Sequence, residues 1–126
     1  MKRIALLLAL AATAHAAPPE SFWRALHVVE TGGRRGAILG DGGKAIGPLQ
    51  IHRAYWQDAR IGGRYEDCVD LDYSKRVAAA YLKRYAPQAW DSGDVFTLAR
   101  IHNGGPRGDK KQATINYAAK VVRAMR

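Results

Sequence analysis

The chain has 126 residues, a formal net charge of +9 and a single cysteine. That length holds one compact domain with a modest core and excludes a multidomain assembly. One cysteine excludes an internal disulfide framework, and the excess of lysine and arginine suits an anionic partner such as a bacterial wall, a nucleic acid or an acidic membrane face.

The first sixteen residues read as a secretory signal peptide: Lys2-Arg3, an apolar run from Ile4 to Ala12, then Ala14-His15-Ala16 as the cleavage site. The run is shorter than the roughly 20 residues needed to cross a bilayer and no second one follows, so no membrane span is expected. Removal of residues 1–16 leaves a single domain over residues 17–126 with a net charge of +7, in a secreted or periplasmic setting.

Phe22, Ala25, Leu26 and Val29 recur at helical spacing between Pro18-Pro19 and Gly32-Gly33, which predicts a helix from about Glu20 to Thr31. The next stretch is glycine-rich, and Asp41-Gly42-Gly43 between two apolar triplets predicts a small hairpin near residues 37–46. Pro48 fits the first turn of a second helix that runs through Ile51 to Ala59. Asp70 or Asp72 caps a third, with Val77, Ala78, Tyr81, Leu82 and Tyr85 on its apolar face and Pro87 at its end. Ser92 or Asp94 caps a fourth through Val95, Leu98 and Ile101, stopped by Gly104-Gly105-Pro106, and Ile115, Ala118, Val122 and Met125 mark a last one. The expected fold class is mainly α, formally α+β, with about five helices and one β-hairpin. Cys68 lies among Glu66, Asp67 and Asp70, neighbours that disfavour a thiolate, so a buried inert thiol is expected.

The chemistry centres on two acids. Glu30 flanks the apolar stripe in the last turn of the first helix, where partial burial and the helix dipole both favour a protonated carboxyl. Asp41 follows in a turn open to solvent, where an aspartate stays ionised unless it merely shapes the bend. One acid keeping its proton while another stays charged is what glycoside cleavage requires. Gln50, His102 and Asn103 are candidate substrate-binding residues near such a cleft, and Tyr55 is a candidate cleft wall. The histidines are scattered, so no metal-ligand spacing is present and no cofactor is expected.

The segments Glu30-Thr31-Gly32, the Asp41 turn, Gly47-Pro48-Leu49-Gln50-Ile51 with Tyr55-Trp56, and His102-Asn103-Gly104-Gly105-Pro106-Arg107-Gly108 together resemble the invertebrate-type lysozymes, the destabilase family. The resemblance extends across nearly all of the chain after residue 16. It implies a lysozyme-like fold, and hydrolysis of the β-1,4 bond between N-acetylmuramic acid and N-acetylglucosamine in peptidoglycan, with chito-oligosaccharide as a related substrate. Glu30 would be the general acid/base, and Asp41 the nucleophile or electrostatic stabiliser of a retaining mechanism, with Asp58 and Asp67 as alternative second acids. The chain departs from the family in having no disulfides, in carrying Ile46 where a cysteine is usual, and in a Glu30–Asp41 segment one residue shorter. Two other readings fit the same motifs: a lytic transglycosylase using Glu30 alone, and a non-catalytic basic wall-binding or antimicrobial protein.

Overall fold

A computed structural model describes residues 17–126, so the signal peptide expected over 1–16 lies outside the described residues. Six α-helices follow one another: α1 (Glu20–Thr31), α2 (Arg53–Ala59), α3 (Leu71–Tyr85), α4 (Pro87–Ser92), α5 (Val95–Gly104) and α6 (Thr114–Ala124). Between α1 and α2 lies a three-stranded antiparallel sheet of β1 (Leu39–Gly40), β2 (Ala45–Ile46) and β3 (Ile51–His52). The mainly helical architecture expected from apolar spacing is the one observed.

Local chemistry explains the boundaries. Asp70 and Asp94 accept hydrogen bonds from the Tyr73 and Thr97 amides, capping α3 and α5. Gly32 ends α1 in a left-handed conformation (φ 65°), returning its N–H to the Val28 carbonyl directly after Glu30 and Thr31. α6 packs across both α1 and α5, while α3 backs onto α2, α4 and α5. The core runs through all of them and into the sheet region: Phe22, Leu26, Leu49, Ile51, Val77, Leu82, Leu98 and Val121 are fully buried. Burying side chains of this size contributes about 1.5–3 kcal/mol each. Cys68 is buried in the same core, and burial, then Asp67 and Glu66, push its thiol up to about 12.

Two expectations need correction. Gly47-Pro48-Leu49-Gln50 does not open a helix but turns β2 back into a third strand, and α2 begins only at Arg53. Gly47 takes φ 80° and Gln50 φ 53°, and a side chain at Gly47 would run into the Cys68 carbonyl, so the chain there is folded tightly against its neighbour. Pro87 stops α3 as expected, yet it also stands at the first position of α4, a short helix not foreseen.

Candidate active site

The end of α1, the sheet and the end of α5 enclose a cleft of about 320 Å³. Glu30, Asp41, Gln50, His52, His102 and Asn103 line it, over Ala45. Five of the six residues singled out from the sequence therefore meet in one place. Tyr55 does not: it lies behind the cleft, buried and stacked on Tyr81 with ring centroids 3.6 Å apart. Its amphipathic ring braces the site instead of facing a sugar.

Glu30 stands on the helical wall. Its neighbour Thr31 is buried and donates its hydroxyl to the Pro48 carbonyl at 2.9 Å, which ties the end of α1 to the turn before β3. The Glu30 side chain is 17% exposed. Burial raises its pKa from 4.5 to about 7, against a smaller lowering influence from the Tyr117 hydroxyl on α6. A carboxyl with that pKa retains a proton near neutrality, as a general acid must.

His102 reaches Glu30 from α5, its Nε2 3.9 Å from Oε2. Burial lowers the His102 pKa to about 4, with the Leu49 backbone opposing the shift and His52 adding to it. The imidazole is thus neutral at ordinary pH and the contact is not an ion pair. Its Nδ1 lies 2.8 Å from the Tyr55 hydroxyl, which burial holds well above its ordinary pKa. A phenol that keeps its proton donates it to Nδ1, leaving the hydrogen on Nε2, the nitrogen turned toward Glu30.

Asp41 stands on the opposite wall in a different setting. Its side chain is 67% exposed and its carboxylate lies 3.4 Å from His52 Nε2 on β3. Asp41 itself takes φ 50°, a left-handed conformation aspartate tolerates better than most residues. Gln50 secures this wall from beneath, donating its amide to the Ile38 and Gly47 carbonyls at 3.1 and 3.0 Å. Asp41 and Gln50, both on the cleft, are two of only three non-glycine residues with positive φ among those described. Backbone held in such unusual conformations recurs at functional sites. Asn103, at the exposed end of α5, completes the rim.

Two members of the site escaped sequence reasoning. His52 lies two residues beyond Gln50, and strand alternation would have found it had β3 been recognised. Tyr117 sits among Ile115, Ala118 and Val122 at ordinary helical spacing, so nothing in the sequence separates it from a core phenol. Among the described residues no three His, Cys, Asp or Glu side chains gather as a metal site would require.

A long helix carrying a half-buried glutamate over a small sheet that presents an aspartate is the arrangement of a lysozyme, and solved structures bear out the fold. Inhibitor-bound lysozyme from Meretrix lusoria superposes with a TM-score of 0.69 at 31% identity, covering 84% of this chain and 89% of that one. Tapes japonica lysozyme gives 0.70 at 28% identity, covering 84% and 92%. The Destabilase family matches residues 26–124, and the chain belongs to that family. Lysozyme of Meretrix lusoria is 39% identical over 92 residues, 71% of this chain and 75% of the relative. Lysozyme of Ostrea edulis is 39% identical over 76 residues, 58% of this chain and 55% of the relative. The chain thus spans about half the length of some curated relatives it matches, 43% in the case of Crassostrea virginica lysozyme 1.

Proposed function

We propose that this protein is a secreted glycoside hydrolase of the lysozyme type, cleaving the β-1,4 bond between N-acetylmuramic acid and N-acetylglucosamine in peptidoglycan. The observation that carries the reading is the pairing of Glu30, buried with a pKa of about 7, and the exposed Asp41 across one cleft. Glu30 protonates the leaving oxygen. Asp41 then stabilises the positive charge at the anomeric carbon or bonds to it, and Glu30, now ionised, takes a proton from the incoming water. A retaining course requires carboxyls about 5–5.5 Å apart, close enough for direct attack.

We assign Asn103, at the rim, to the sugar amides; Gln50, whose amide N–H groups are held by the Ile38 and Gly47 carbonyls, has only its carbonyl oxygen to offer one. A second hollow of about 390 Å³ adjoins the cleft through His52 and carries Lys44 and Arg53, with the Arg53 guanidinium 4.5 Å above the Tyr65 ring. Together with the basic charge of the chain, it supports attachment to an anionic wall, an interaction that weakens as salt rises. Residues 1–16 are the proposed export signal, and no described helix is long and apolar enough to cross a membrane.

Glu30→Gln tests the reading directly. Lysis of purified peptidoglycan should fall by about 10²–10⁴-fold while wall binding persists. Near-native lysis by that variant would exclude enzymatic cleavage through Glu30 and favour a charge-driven wall binder. Mass spectrometry of the products separates hydrolysis from transglycosylation, because an anhydro-muramoyl product is lighter by one water. Full activity in Asp41→Asn would exclude a mechanism using that second acid.

A further inference from the structure

The hydroxyl of Tyr117 is buried and has no hydrogen-bond partner, the one such side-chain atom among the described residues. Leaving a polar hydrogen unpaired in a protein interior is costly, so its persistence calls for an explanation. Its position supplies one. α6 packs on α1 and brings the phenol to the carboxyl of Glu30, close enough to act on it as a hydrogen-bond donor and lower its pKa, although the two groups stop short of a fully formed hydrogen bond in the free protein.

We propose that Tyr117 is a positioning residue, whose buried hydroxyl, unpartnered in the free protein, donates to the Glu30 carboxylate once that group has given up its proton. This rests on Glu30 being the general acid of the reading above. When the Glu30 proton passes to the leaving oxygen, a negative charge is left in a largely dry wall, and the Tyr117 O–H stands where it can meet that charge. The hydroxyl keeps its own proton throughout, since burial and the adjacent Glu30 raise its pKa well above 10. As water is then activated, the proton returns to Glu30 and the hydrogen bond weakens again. Tyr117 thereby favours the ionised half of the cycle, whereas burial favours the protonated half.

The other groups facing Glu30 do not duplicate this role. His102 from α5 is neutral and its Nε2 stands 3.9 Å away, beyond hydrogen-bond reach. Tyr55 on α2 is engaged with the far side of His102. Asp41 and His52 pair with each other on the opposite, sheet wall, and the Gln50 amide N–H groups are spent on the Ile38 and Gly47 carbonyls.

The pH profile of kcat/KM on soluble peptidoglycan fragments, for wild type and Tyr117→Phe, tests the assignment. Cleavage falls as pH rises through the pKa of Glu30, so losing a donor to its carboxylate should move the alkaline limb upward by about one pH unit. The Tm should stay unchanged or rise, because the substitution removes an unpaired buried hydroxyl. A folded Tyr117→Phe with an unmoved limb overturns the proposal, since a purely structural residue would alter stability without moving that limb. Should the phenylalanine variant not fold, 3,5-difluorotyrosine at position 117 provides a more acidic and stronger donor. The limb must then move downward, and an unmoved limb again refutes the assignment. Glu30→Gln assayed alongside keeps the two readings apart: if it still cleaves, the acid assignment fails whatever Tyr117 does.

Discussion

Glu30 and Asp41 carry the same carboxyl, yet one side chain is 17% exposed and the other 67%. The helical wall surrounds Glu30 with α5, α6 and two phenols, and it is packed as a domain core is packed. The sheet wall offers Asp41 three two-residue strands, a glycine turn and a histidine at the surface. Their contrast teaches where each placement is encoded: the proton of Glu30 is governed by long-range packing among helices, and the position of Asp41 by a short stretch of chain open to water. Damage to the sheet wall should displace a residue, while damage to the helical wall should change a protonation state.

Gly47→Ala breaks the sheet wall most severely. A Cβ there meets backbone atoms of Cys68, and φ 80° is strained for alanine in any case. A loss of about 3 kcal/mol or more is expected in urea unfolding, with lytic activity falling beyond the loss of folded protein. Such a variant with wild-type stability would show the turn to be pliable.

Glu30→Gln acts on the helical wall with the opposite sign. Because the folded pKa of about 7 lies above the ordinary 4.5, the folded state binds the extra proton between those values, and stability declines as pH rises through that window. Glutamine carries no such penalty, so the variant should be more stable than wild type by about 3 kcal/mol at pH 8 and equal to it near pH 4. Thermal melts across that range provide the check, a gain of several degrees at alkaline pH being expected. His102 shows the reverse dependence. Its folded pKa of about 4 lies below the ordinary 6.5, so it destabilises the fold as pH drops through that interval.

Gln50→Ala should produce a smaller effect, about 1–2 kcal/mol, from the loss of two hydrogen bonds to carbonyls of the sheet wall. A fall in kcat exceeding that in a distant variant of equal stability would indicate that the Asp41 turn has loosened. The least effect belongs to His52→Gln. Its 3.4 Å contact with Asp41 is exposed, so stability should change by less than about 0.5 kcal/mol and activity only a few-fold. A larger loss of activity would give His52 a direct part in holding the substrate.

The same division explains how much could be read in advance. Helices that bury a stripe declare it through spacing, so α1, α3, α5 and α6 were legible, and Glu30 with them. The Asp41 bend was legible because Asp-Gly-Gly has few other uses. β3 was not, since two residues are too short to show a strand period, and Pro48 after a glycine fits a helix start equally well. Tyr55 misled because its ring fits either a sugar face or a core, and only its stacking on Tyr81 decides. Tyr117 and His102 gain their significance from a convergence of α1, α5 and α6 that no local pattern records.

Cys68 is the sole cysteine in the chain and is sealed inside it, with a thiol pKa raised to about 12. Folding of these residues therefore needs no thiol oxidant or disulfide isomerase, and a millimolar dose of dithiothreitol should leave the melting curve where it was. The described fold can form under reducing conditions as readily as under oxidising ones.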